Sequence, residues 1–269
     1  MPNFNTTSEM QKQYATDKNL NARAALHALY STNKQGWGNW VVEQYDIQPG
    51  MRILELGCGN GTMWSGRTLP EGVELVLSDF SEGMLEAAKA NTAHLSRAEY
   101  RVVDAQDIPF DDGVFDIVIA NHMLYHIPDA DKALAEIARV LKAGGLFYAT
   151  TLGNDNFKEM IALLTAFDAR IDLALDAVTR TFGLETGGAK LAHHFAAVET
   201  RRYEDSLHIT EAKPMIDYIL SLQGIGNVND IIAGDEVARF AAYVNGIFDK
   251  NGFFDVTKDA GMFMATKSS

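Results

Sequence analysis

An open, mostly parallel α/β sheet with helices on both faces is the fold class this 269-residue sequence predicts. Three observations predict it. Short, continuous apolar runs recur at residues 51–56, 73–78, 100–103, 115–120 and 146–152, as expected of strands buried on both faces. Segments with helical apolar spacing alternate with them. The first run ends in glycines at alternate positions, Gly57, Gly59 and Gly61, where the chain must turn sharply and admit a ligand close to its backbone.

Taken in order, residues 8–14 and 17–30 have helical patterning, with Asp17 as a candidate N-cap, and a polar turn over 31–36 leads to a short helix bearing Trp37, Trp40 and Val41. Residues 1–45 are therefore read as an N-terminal helical lid and 46–152 as the ligand-binding core. Inside the core a helix is expected from about Thr62, another capped by Ser81, and a third over Ala130–Leu141 that stops at Ala143-Gly144-Gly145. From Gly153 the apolar residues Phe157 to Phe182 recur at helical spacing, and a shorter helix is expected over Ala189–Val198. Residues 153–198 are read as a helical cap over an acceptor pocket. The remainder, 199–269, returns to the sheet: a strand over Tyr203–Ile209, helices over Ala212–Leu222 and Gly234–Lys250, and two strands flanking Asp259-Ala260-Gly261 as an antiparallel C-terminal edge.

Composition excludes several classes of partner. Lys and Arg number 23 against 36 acids, a net charge of −13, and the only adjacent basic pair is Arg201-Arg202, so nucleic acid is disfavoured. The single cysteine, Cys58, permits no internal disulfide or thiolate metal cluster and suits a reducing, cytoplasmic setting. Neither a signal peptide nor an apolar run of membrane-spanning length is seen. The expectation is a cytoplasmic monomer or homodimer that acts on a small molecule.

Spacing narrows the ligand. A dinucleotide fingerprint wants glycine at its first, third and sixth positions, but the sixth here is Thr62. Asp79 closes the second run 22 residues after Gly57, where an acid can accept hydrogen bonds from ribose hydroxyls. Asp104 and Ala105 close the third run, and the fourth delivers Asn121, His122 and, further on, His126 to the same edge.

The order Glu55-x-Gly57-x-Gly59-x-Gly61 resembles the first motif of the class I methyltransferases that use S-adenosylmethionine, and Asp79-Phe80-Ser81-x-x-Met84-Leu85-x-x-Ala88 looks like their second. Ile108-Pro109-Phe110, Phe115-Asp116 and Leu141-Lys142-x-Gly144-Gly145 follow in the family's order, so residues 51–152 resemble its small-molecule members throughout. The resemblance implies a Rossmann-like, doubly wound, seven-stranded sheet. It also implies a glycine turn, Gly57-Cys58-Gly59-x-Gly61, around the methionine moiety, with Glu55 accepting from the methionine ammonium through water or the turn. By the same resemblance Asp79 takes the ribose, Phe80 and Met84 line the nucleoside site, Asp104 (with Ala105 beside it) accepts from the adenine amino group, and the Asn121 backbone lies at the sulfonium end. Tyr14, Arg23 and Trp37 are lid candidates near the methionine carboxylate, Arg23 as a possible ion-pair partner.

Methyl transfer from a sulfonium is an in-line displacement on an activated donor, so the protein mainly aligns the partners and excludes water. A base is needed for a hydroxyl or an acidic carbon, and less for an amine. His122 and His126 are the candidates for such a role; ordinary packing is the competing reading for both. Their spacing lacks the glutamate of a zincin, and no metal is expected. The expected activity is methyl transfer to a small-molecule oxygen, nitrogen or carbon. The rival readings are a cofactor-binding sensor or scaffold of the same fold and a nicotinamide-dependent oxidoreductase.

Overall fold

The computed structural model describes residues 25–173, 175–222 and 226–269, the last including the C-terminus. Tyr14 and Arg23 lie outside the described residues. The chain forms two compact units. The larger comprises 37–154, 178–203 and 260–269, and the smaller 155–177 and 204–259 with the described part of 1–36. The stretch read as one cap, 153–198, is thus shared between them.

The larger unit is organised by a seven-stranded sheet. Its strands are β1 (Arg52–Leu56), β2 (Glu74–Asp79), β3 (Ala98–Val102), β4 (Phe115–Asn121), β5 (Leu141–Leu152), β6 (Ala197–Ile209) and β7 (Phe254–Thr266). Their order across the sheet is β3-β2-β1-β4-β5-β7-β6. β1 to β5 run parallel and β7 runs antiparallel to β5. The strand order reverses between β1 and β4, which opens a crevice at the carboxyl ends of those two strands.

Alternation along β1 shows why both faces are covered. Leu54 and Leu56 join one core layer with Ala133, Leu134 and Ile137 of helix α3 (Ala130–Val140). Ile53 points the other way, into a second layer with Val41 of α1 (Trp37–Glu43) and Leu85 and Ala88 of α2 (Glu82–Asn91). Burying a strand on both faces is what makes its sequence a continuous apolar run. Helix α2 is capped as the sequence predicts, the Ser81 hydroxyl accepting from Met84 N–H, and α3 starts at Ala130 with the Asp129 carboxylate accepting from Lys132 N–H.

Four local expectations are corrected. No α-helix starts at Thr62; a single 3-10 turn, Thr62–Trp64, stands there, closed off by Gly66 in the left-handed region at φ 69°. The apolar spacing over 157–182 breaks into α4 (Lys158–Phe167) and α5 (Leu175–Phe182). The predicted helix over 189–198 is the shorter α6 (Gly187–Leu191), and β6 begins at Ala197. Finally, Asp259-Ala260-Gly261 is not a turn but the middle of β7, and β6 lies outside β7 in the sheet. Gly261 is there because a Cβ would come within 2.4 Å of the Arg201 carbonyl oxygen.

The smaller unit has its own core, formed by Leu26, Met160, Leu164, Leu207, Met215, Ile219, Phe240, Val244 and Val256. Helices α4, α7 (Ala212–Leu220), α8 (Val228–Ile231) and α9 (Asp235–Asn251) supply most of it. A buried Asp205–Lys258 ion pair ties its two strand segments, and Ser31 Oγ (2.5 Å) and Asn33 N–H (2.9 Å) also donate to Asp205. Among the described residues no helix is long and apolar enough to cross a membrane.

Candidate active site

The turn after β1 holds Gly57, Gly59 and Gly61 at φ 66°, 55° and 70°, all left-handed. The three glycines serve different ends. A Cβ on Gly57 would come within 2.9 Å of Met123 Cβ, and one on Gly61 within 3.1 Å of Ala88 Cα, so these two admit neighbouring protein. A Cβ on Gly59 would meet nothing within 4 Å. That glycine faces open space, which is where a ligand can approach the backbone.

Asp79 at the end of β2 braces this turn. One carboxylate oxygen accepts from Gly59 N–H at 2.9 Å and the other from Ser81 N–H at 2.8 Å. An ionised carboxylate offers about four acceptor sites, so two remain for a diol. Beside it, Phe80 is 54% exposed, and Val102, paired with Asp79 across β2 and β3, is 49% exposed. Met84 is half-buried in the first turn of α2. Asp104 is exposed two residues past the end of β3, where it accepts from Gln106 N–H at 2.8 Å, while Ala105 is buried. Apolar surface flanked by two carboxylates at adjacent strand ends fits a nucleoside: a flat base beside a ribose.

Glu55 lies beneath the turn and is 2% exposed. Trp64 Nε1–H donates to its Oε2 at 2.5 Å and Asn121 Nδ2–H to its Oε1 at 3.0 Å. Burial pushes its carboxyl up to about 7, partly opposed by those two hydrogen bonds and reinforced by the Asp79 charge. Because Glu55 is buried beneath the turn, it reaches anything above the turn by way of the turn itself.

Burial, and then the charges of Glu55 and Asp79, push the Cys58 thiol well above the ordinary thiol value. The native protein is therefore expected to react with a thiol reagent at pH 8 slower than the denatured chain by roughly tenfold or more. Because Cys58 is the single cysteine, mass spectrometry of the labelled chain reads this without ambiguity. Equal rates in the two states would show the turn to be open.

The carboxyl end of β4 supplies the rest. Asn121 packs its amide downward, donating to Glu55 and to Tyr45 Oη (2.9 Å). His122 takes a left-handed conformation, φ 49°, and its ring lies 5.1 Å from Trp37 and 6.3 Å from Tyr125. Trp37 packs in turn on Trp40 (5.4 Å) and Tyr203 (5.3 Å), so it belongs to an aromatic cluster around His122. His126 ends a 3-10 turn, Leu124–His126, against Tyr125 at 4.6 Å. Burial lowers its pKa to about 4, which makes it a neutral imidazole at physiological pH. Among the described residues no three His, Cys, Asp or Glu side chains come together to hold a metal.

Three participants were not legible in the sequence. Trp64, Tyr45 and Thr150 join the site only through long-range hydrogen bonds. The one available signal was an apolar-run threonine, Thr150, opposite Asn121 in the register of β4 and β5.

A sheet parallel from β1 to β5, with its antiparallel strand beyond β5 and a glycine turn after β1, has the Rossmann-like fold that methyltransferases also adopt. Residues 54–149 match the family model described as a methyltransferase domain (Methyltransf_11), which bears out the resemblance on which the core was read. A demethylmenaquinone methyltransferase of Clavibacter sepedonicus is 44% identical over 113 residues, covering 42% of this chain and 46% of that protein. One of Staphylococcus aureus (strain MRSA252) is 34% identical over 136 residues, covering 49% and 56%. The chain thus spans about half the length of these relatives. Among solved structures, the YcgJ protein from Bacillus subtilis aligns with a TM-score of 0.57 at 19% identity, over 86% of this chain and 98% of that one. Phosphoethanolamine N-methyltransferase 2 of Haemonchus contortus, solved with S-adenosyl-L-methionine, aligns with a TM-score of 0.58 at 17% identity, over 100% and 61%. At such identities these two likenesses bear on the fold.

Proposed function

We propose that the chain transfers a methyl group from S-adenosylmethionine to a small-molecule acceptor in a reducing, cytoplasmic setting. The observation that carries the reading is the brace between Asp79 and Gly59: one acid both holds the glycine turn open and keeps acceptor sites for a ribose. The match of residues 54–149 to a methyltransferase domain supports it independently. The relatives' printed substrate, demethylmenaquinone, belongs to proteins of which this chain spans about half, so the acceptor here is left as a small molecule.

When bound, the cofactor supplies a methyl group already activated on sulfur. The residues do the remainder. Gly57 to Gly61 lie along the methionine end, Asp79 holds the ribose hydroxyls, and Phe80, Met84 and Asp104 flank the base. His122, presented at the end of β4, faces the acceptor and takes its proton where the acceptor is a hydroxyl or an acidic carbon. Trp37 and its aromatic neighbours exclude water from that side. Transfer would exchange the acceptor's proton for the methyl group, with His122 holding that proton and the spent, uncharged cofactor released from the glycine turn. The net charge of −13 supports a neutral or cationic acceptor over an anionic polymer.

The test is product formation. The purified chain, incubated with S-adenosylmethionine and a panel of phenols, quinols and amines, should release S-adenosylhomocysteine with one of them. Cofactor binding without turnover on any acceptor would favour the sensor reading. Tight binding of a nicotinamide dinucleotide in its place would favour the oxidoreductase.

A further inference from the structure

His122 is the residue on which the acceptor side of that reading turns, and its backbone is in the left-handed region, which is uncommon for a residue other than glycine. Something must hold it there. Its N–H donates to two atoms of one β5 residue, Thr150: the hydroxyl at 3.0 Å and the carbonyl at 3.1 Å. The same hydroxyl donates to Asn121 Oδ1 at 3.3 Å. The Asn121 amide is fixed from the far side by Tyr45, whose Oη lies 2.9 Å from Nδ2 and 3.2 Å from Oδ1, and by Glu55. Trp64 closes the chain on Glu55. Every member except Asn121 and His122 is buried, and each bond links a different element of the larger unit.

Resting on the methyl-transfer reading, we propose that Tyr45 and Thr150 are positioning residues, which act through Asn121 to hold His122 in its left-handed conformation at the acceptor side of the site. The arrangement has a directional logic. Asn121 has two N–H donors and one carbonyl; the donors reach Glu55 and Tyr45, and the carbonyl accepts from the Thr150 hydroxyl and from that of Tyr45. Its side chain therefore has one orientation that satisfies all three neighbours. That orientation points the Thr150 hydroxyl so that its lone pair meets His122 N–H. The network also runs under the glycine turn through Glu55, so the grip on His122 and the floor of the cofactor turn are one hydrogen-bonded structure.

The experiment observes the imidazole directly. In the full chain with labelled histidine, the seven ring Cε1–H resonances are recorded with and without S-adenosylhomocysteine, and His122 is assigned by the loss of its signal in His122→Gln. Thr150→Val removes the hydroxyl at nearly constant volume, Thr150→Ser retains it, and Tyr45→Phe removes a single oxygen. The wild type and the serine variant should show a His122 signal displaced by the Trp37 ring. In the valine and phenylalanine variants that signal should move at least halfway back to the free-imidazole position. A purely structural role would lower thermal stability and leave the His122 signal in place, and that result overturns the proposal. Should the valine variant fail to fold, Tyr45→Phe decides the matter alone. Absence of S-adenosylhomocysteine binding to the wild type would sink the methyl-transfer reading, whereas the resonance positions would still judge the positioning network.

Discussion

Asp79→Ala weakens S-adenosylmethionine binding by about 1–3 kcal/mol, roughly 5- to 150-fold in Kd. Two losses add in this substitution. The ribose hydroxyls lose a charged acceptor, and the Gly59 and Ser81 N–H groups lose the partner that fixes the glycine turn and the start of α2. Asp79→Asn separates them, because one amide oxygen still accepts while the charge is gone; its effect falls between wild type and alanine. Isothermal titration of the three proteins at one salt concentration measures the order. Equal affinities for all three would remove the ribose from Asp79.

The second large effect is on stability and pH. The Glu55 carboxyl titrates at about 7 in the folded protein against an ordinary value of 4.5, chiefly because burial disfavours its charge. Between those two values the folded chain holds a proton that the unfolded chain has released. The protonated group's contribution is thus fully present below pH 4.5, and it is lost progressively as pH rises through about 7. At 1.36 kcal/mol for each pH unit the loss is about 3 kcal/mol. Glu55→Gln carries no such proton. Urea unfolding of both proteins from pH 4.5 to pH 8 should therefore show the glutamine variant gaining about 3 kcal/mol on the wild type, most of it before pH 7. Parallel stability curves would place Glu55 in contact with water. Taking the difference between the two proteins cancels the other titrating groups, among them His27 and His126, each lowered to about 4 by burial.

How much of this was legible before any coordinates depended on whether a feature is local. The glycine turn was, because left-handed backbone at alternate positions has a residue signature, and so were the two strand-end acids, whose distance from the turn is set by one crossover connection and one strand. The capping of α2 by Ser81 was equally local. Interactions between distant segments were not. Trp64 reads as a core tryptophan, and only the closing of the turn brings its indole to Glu55. Gly261 sits in an Asp-Ala-Gly sequence that signals a turn, yet its reason is the Arg201 carbonyl of a neighbouring strand. The apolar period across 157–182 hides its break because Asp168 and Arg170, which pair with each other, fall on the polar face and leave the stripe unbroken. In the same way, nothing in the spacing of His122 foretells its left-handed backbone: histidine enters that region more often than most residues, but with no local pattern that marks when.

The central claim is that a sulfonium nucleoside lies across the tips of β1, β2 and β3. A crystal structure of the chain grown with S-adenosylmethionine tests it most directly. The account predicts the methionine end along Gly57–Gly61, with the chain passing close over Gly59, both ribose hydroxyls on Asp79, and the base between Phe80 and Asp104. Those tips vacant at saturating cofactor, or the nucleoside bound elsewhere on the chain, would contradict it.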